Sequence, residues 1–112
     1  MAQFSLGKIV VNPAGTPIRL TANQSAPGAN YPAHSYLVEA LSGNTGKIYI
    51  GTSTLDKTTL AGVYAILPPP TANIFPSFSA TVSYSPNHFN LAEIYVDVDN
   101  AGEGVVASAI VS

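Results

Sequence analysis

The sequence predicts an all-β fold in one domain, with antiparallel strands stacked as a sandwich or closed as a barrel. Three observations carry this reading. Apolar residues recur with period two, and no window sustains an i, i+3, i+4 apolar pattern without a Gly, Pro or β-branched interruption. Nine glycines and nine prolines punctuate the 112 residues evenly. Turn residues recur about every ten positions, the spacing of short strands joined by tight connections.

Taken in order, the strands expected are Ser5–Val11, Pro17–Ala22, Ser35–Leu41, Lys47–Ile50, Gly62–Leu67, Ser77–Tyr84, Glu93–Asp99 and Val105–Val111. Ser77–Tyr84 is the clearest: Phe78, Ala80, Val82 and Tyr84 alternate with Ser77, Ser79, Thr81 and Ser83, one apolar face against one hydroxyl face. In Glu93–Asp99, Ile94, Val96 and Val98 oppose Glu93, Tyr95, Asp97 and Asp99; Lys47–Ile50 follows the turn signal Asn44-Thr45-Gly46. Alternation puts Tyr49 and Tyr95 on solvent faces, either lining a shallow sugar-binding face or packed under loops or a partner subunit. The breaks are Asn12-Pro13-Ala14-Gly15, Pro27-Gly28-Ala29-Asn30, Ser42-Gly43-Asn44, Pro68-Pro69-Pro70, Ser85-Pro86-Asn87 and Asn100-Ala101-Gly102. Two stretches exceed a tight turn: Asn23 to His34, expected to cross the surface, and Pro68 to Pro76, whose Pro-Pro-Pro favours polyproline II.

Composition narrows the function. Charged residues make up 9% of the chain, against roughly 25% in ordinary soluble domains. Four Lys and Arg against six Asp and Glu give a net charge of −2, without the basic clusters that nucleic acid demands. With no cysteine, disulfides, thiolate zinc sites and thiol nucleophiles are excluded. No apolar run approaches the ~20 residues of a membrane span, and Met1–Lys8 shows no basic and apolar leader. A soluble intracellular product, or one assembled inside a cell, is the expectation. So little charge also favours association, hence a surface largely covered in the working state.

Catalytic constellations are missing. His34 and His88 stand beside prolines with no evident partner for general base work, and there is no nucleophile elbow, phosphate loop or dinucleotide fingerprint. Asp97-Val-Asp99-Asn100-Ala-Gly102-Glu103 opens like an EF-hand loop, but Ala101 and Ser108 occupy ligand positions. A hairpin turn, with Gly102 and Gly104 supplying φ > 0, is the reading preferred over a metal site. No catalytic residue, metal or cofactor is expected. The candidate contact residues are apolar: Phe4 and Leu6 in an N-terminal arm (residues 1–6), and Ile74, Phe75 and Phe89 on loops, where they serve as core plugs or as contacts for a neighbouring subunit.

Three segments together resemble small tailed-phage proteins. Gly15-Thr-Pro-Ile-Arg-Leu20 matches an early strand motif, Gly43-Asn-Thr-Gly-Lys-Ile-Tyr-Ile-Gly51 a following hairpin, and Glu93-Ile-Tyr-Val-Asp-Val-Asp-Asn-Ala-Gly-Glu-Gly-Val105 the closing hairpin, in the same order over most of the chain. Each is turn chemistry plus alternation; the three together are more specific. The resemblance implies a β-sandwich of jelly-roll type and a virion role: a capsid decoration (cement) protein on the outer shell, assembled in the host cytoplasm and clamping adjacent major capsid protein subunits. Its partners would be the major capsid protein and itself, as homo-dimer or homo-trimer, with neither nucleic acid nor membrane. The alternative is a carbohydrate- or receptor-binding module, marked by saturable glycan binding lost on mutating Tyr49 or Tyr95.

Overall fold

Alternating sequence becomes two four-stranded antiparallel sheets. The computed structural model describes residues 2–81 and 89–111; Val82–Tyr84 of one expected strand, the turn Ser85-Pro86-Asn87 and His88 lie outside them. The strands are β1 (Ala2–Val11), β2 (Ile18–Arg19), β3 (Pro32–Ala33), β4 (Ser35–Ala40), β5 (Ile48–Gly51), β6 (Val63–Leu67), β7 (Ser77–Thr81), β8 (Phe89–Asn90), β9 (Tyr95–Val98) and β10 (Glu103–Val111), with a 3₁₀ turn at Leu91–Glu93. Every expected strand has a counterpart. The two further strands, β3 and β8, are two residues each and lie in segments read as loops.

The pairing is nested. β1 lies on β10, β2 on β9, β3 on β8, β4 on β7 and β5 on β6, all antiparallel. The chain is therefore one long two-stranded ribbon folded back at β5–β6. Rolling the ribbon adds the pairs β10–β4 and β9–β5, which close the sheets in the orders β1-β10-β4-β7 (sheet A) and β2-β9-β5-β6 (sheet B). That is the strand order of a jelly roll. Between the sheets lies the core: Leu6, Ile9, Val11, Tyr36, Val38, Val105 and Ala107 from sheet A, and Ile48, Ile50, Leu67, Val96 and Val98 from sheet B, closed by Leu20, Ala33, Leu91 and Ile94.

The first strand corrects the expectation of an arm. From Ala2 onward the segment pairs with β10. The strand can bury both halves only because its parity slips. Phe4 and Leu6 point inward, and so do Ile9 and Val11, an odd step apart that a regular strand cannot accommodate. A bulge between Ser5 and Gly7 absorbs the extra residue. Gly7 takes φ 77° there, a region open to glycine. Asn23 clips the bulge by donating from Nδ2 to the carbonyls of Leu6 (3.3 Å) and Lys8 (2.8 Å).

The closing hairpin corrects a second expectation. Gly102 has φ 85°, as its turn requires, but Gly104 does not have positive φ. Gly104 is needed for proximity instead: a Cβ there would sit 1.9 Å from the carbonyl oxygen of Ile9. Beyond the end of β4, Asn44 replaces a strand neighbour. Its Nδ2 donates to the Gly104 carbonyl (2.8 Å) and its Oδ1 accepts from the Gly104 N–H (3.2 Å), with the side chain buried.

Candidate functional site

The fold does not bring the five apolar candidates together. Leu6 is 1% exposed and belongs to the core, so it is no contact residue. Phe89 is half-buried, its ring edge-on to Tyr36 at 5.1 Å; it plugs the core, as does Phe78, whose ring lies 6.1 Å from that of Tyr36. That burial pushes the Tyr36 hydroxyl up to about 12, with a smaller contribution from Tyr64. Phe4 is half-buried against the core and, with Tyr31, Leu91 and Val111, lines an apolar depression of about 280 Å³.

Ile74 and Phe75 are different. They crown the connection between β6 and β7, 67% and 42% exposed. Thr71 and Ile74 bridge each other, Ile74 N–H donating to Thr71 O at 2.7 Å. Between them Ala72 and Asn73 both take positive φ, 42° and 71°. This is the backbone of a tight two-residue hairpin, costly for alanine, and it holds two large apolar side chains in solvent. Pro76 O accepts from the Ala40 N–H (2.9 Å), so the tip runs directly into β7, the edge strand of sheet A.

That outer face is nearly uncharged. Its cross-strand rows read Gln3–Ile110–Ser35–Thr81, then Ser5–Ser108–Leu37–Ser79, then Lys8–Val106–Glu39–Ser77. Leu37, Val106 and Ile110 are each about two-fifths exposed, isolated aliphatics in a field of hydroxyls, with one cation and one anion at the last row. A depression of about 330 Å³ lies between the first two rows.

The acidic hairpin is occupied internally. Glu103 accepts from the Thr45 N–H and hydroxyl (2.8 Å each) and from the Gly46 N–H (3.0 Å). Burial pushes this carboxyl up, but these donors outweigh it and hold it below the usual carboxylate range. Asp97 is buried and accepts from the N–H groups of Gly15 (2.9 Å) and Val98 (2.8 Å). No group of three or more His, Asp or Glu side chains gathers as a metal ion would require among the described residues. His34 is half-buried where β3 passes into β4, its backbone N–H on the Ile110 carbonyl.

On sheet B, alternation places Tyr49 on the outer face correctly, yet Tyr49 is 7% exposed. The connection from Thr52 to Ala61 returns over this side, burying Leu55 and bringing Lys57 Nζ to the Val98 carbonyl at 2.7 Å. Burial, then the charge of Asp99, raises the Tyr49 hydroxyl above its ordinary value. Tyr49 is thus removed from any sugar-binding face. Tyr95 remains half-exposed, with the Arg19 guanidinium 5.4 Å over its ring. These two form the wall between depressions of about 410 Å³ and 220 Å³. Tyr64, 54% exposed, lines the larger. It is an extra residue: Ile50 opposes Ala65 and Gly51 opposes Val63, so Tyr64 bulges from β6.

Comparison with known proteins finds no matching family model, curated protein or solved structure.

Proposed function

We propose that this protein is a structural component of a tailed-phage virion, a decoration protein that seats on the outer capsid shell and bridges adjacent major capsid protein subunits. The observation that carries the reading is the nearly uncharged outer face of sheet A, together with the exposed Ile74–Phe75 tip that leads into its edge strand β7. A face with Leu37, Val106 and Ile110 among hydroxyls has little charge to desolvate, and depletion of charge marks the centre of a protein interface; its hydroxyls need hydrogen-bond partners on the shell. The jelly-roll order and the three motif segments add to it.

Magnitude decides how such a surface would be used. Four strands about 4.8 Å apart and about five residues long present roughly 300 Å² in projection. A stable interface takes about 800 Å² from each partner. The flat face alone falls short, so the tip has to engage as well, and shell subunits arranged around the protein supply the remainder. On the shell, each copy then holds neighbours together by mass action.

The test is composition of particles. Virions banded on a density gradient from a lysate of the producing cells should contain the chain at a high, fixed ratio to the major shell protein. The double substitution Ile74→Ser, Phe75→Ala should leave the fold intact and lower that ratio at least tenfold. Absence of the chain from purified particles refutes the reading.

A further inference from the structure

We propose that the paired depressions on the outer side of sheet B form a binding site for a neutral glycan of at least two pyranose units, with Arg19, Tyr95, Tyr64 and Glu93 as its recognition residues. This is independent of the shell-binding face, which lies on the other sheet.

The chemistry of the wall identifies the ligand class. Arg19 is held twice: its Nε donates to the Ala92 carbonyl at 3.1 Å and its plane lies over Tyr95. The terminal amino groups are thereby aimed without the freedom of a loose surface arginine, which reduces what binding must order. They make no hydrogen bond among the described residues, and Glu93, exposed on the 3₁₀ turn, lines the same depression without pairing to Arg19. One fixed donor fork and one acceptor in one groove match adjacent hydroxyls of a sugar ring, which accept from the guanidinium and donate to the carboxylate. Both hydrogen bonds are charge-assisted and strong.

The rest of the lining fits the same class. Tyr64 points outward by alternation with Ile66 and is the residue left unpaired at the bulge; it offers an aromatic ring to the C–H face of a pyranose. Thr52 adds a hydroxyl from the neighbouring connection. Beyond the Arg19–Tyr95 wall, the smaller depression is apolar, built from Pro17, Ile18 and Pro27, and suits the C–H face of a second unit. A phosphate or nucleotide would find Arg19 as the one cation of the lining, with the Glu93 carboxylate beside it repelling the anion. An apolar ligand would meet mainly polar walls in the larger depression.

The site is tested by amide chemical-shift titration of the full chain with maltotriose, mannotriose and chitotriose, and with trigalacturonate as the anionic counterpart. At least one neutral trisaccharide should give saturable shifts at Arg19, Thr52, Tyr64 and Tyr95 with a dissociation constant of about 1 mM or tighter. Glu93→Gln and Tyr64→Ala alter exposed side chains and should each weaken binding about tenfold or more, whereas Tyr64→Phe, which keeps the ring, should not. Shifts with trigalacturonate alone would make the groove an anion site and overturn the proposal. So would the absence of saturable shifts with all three neutral probes, or binding that neither Glu93→Gln nor Tyr64→Ala weakens.

Discussion

Replacing Asn44 tests how the closing hairpin is held. Its buried amide makes two hydrogen bonds to one residue, donating to Gly104 O at 2.8 Å and accepting from Gly104 N–H at 3.2 Å. In Asn44→Ala the carbonyl keeps the Leu41 N–H at 3.1 Å, but the Gly104 N–H is left buried without a partner. An orphaned donor costs about 1–3 kcal/mol and the second lost bond about 1 more. The expected loss is therefore about 2–4 kcal/mol, out of a typical total of ~5–15.

Asn44→Asp separates the two bonds. One carboxylate oxygen can still accept from the Gly104 N–H, while the other faces the Gly104 carbonyl, acceptor against acceptor. Ionised, the pair repels in a buried site; protonated, the acid donates and restores the lost bond. Burial and the facing carbonyl thus raise the folded-state pKa above the unfolded value of about 3.9. A group raised in this way contributes fully below its unfolded pKa and loses that contribution as pH climbs through the folded one. Urea unfolding followed by circular dichroism at pH 4 and pH 7, on wild type and both variants, makes the comparison. With a slope of about 2 kcal/mol/M, Asn44→Ala should lower the midpoint by about 1–2 M at both pH values. Asn44→Asp should match or exceed that deficit at pH 7 and recover most of it at pH 4. An Asp variant as stable as wild type at pH 7, or one whose deficit relative to wild type widens in acid, refutes the reasoning.

Two further outcomes follow from the same structure. Leu6→Ala should destabilise by about 2–5 kcal/mol in thermal unfolding, as buried leucines do, while Ile74→Ala and Phe75→Ala should stay within about 0.5 kcal/mol of wild type. Glu103→Gln removes a charge that three donors stabilise. Because those donors depress the folded pKa, wild-type stability from this group is present above the unfolded pKa and lost as pH falls through the folded one; the variant should lose about 1 kcal/mol at pH 7 and show a shallower decline in acid.

The strands were legible because one buried face forces alternation, and alternation survives in sequence even at two-residue resolution. What stayed hidden has specific causes. The slip at Gly7 reads as continuous strand, since each half keeps its own period; the sign was that Phe4 and Leu6 differ in parity from Ile9 and Val11. Alternation puts Tyr49 on the right face, but periodicity reports the face of a sheet and not what is laid across it. Phe89 sits in a loop by its Pro and Asn neighbours, while its burial depends on Tyr36, more than fifty residues away. Of the sheet B groove, only Tyr95 was visible beforehand; Arg19, Tyr64 and Glu93 join it through pairings that span most of the chain. For Ile74 and Phe75 the sequence leaves core plug and contact both open; the tight turn at Thr71–Ile74, which the proline run does not announce, decides for exposure.

The nested pairing also sets an order of events. Only 11 residues separate β5 from β6, whereas 91 separate β1 from β10. Loop closure grows by about 0.6 kcal/mol per doubling of length, so starting from the outermost pair costs about 2 kcal/mol more entropy than starting from the innermost. Formation from the turn outward lets each pair inherit the loop closed by the one before it. The seam of β1 on β10 is then the last to zip, after the sheets it completes, and folding is slow for a chain this short because almost every contact waits on a distant one. Unfolding runs the same path backwards, from the edge where the two ends of the ribbon lie side by side.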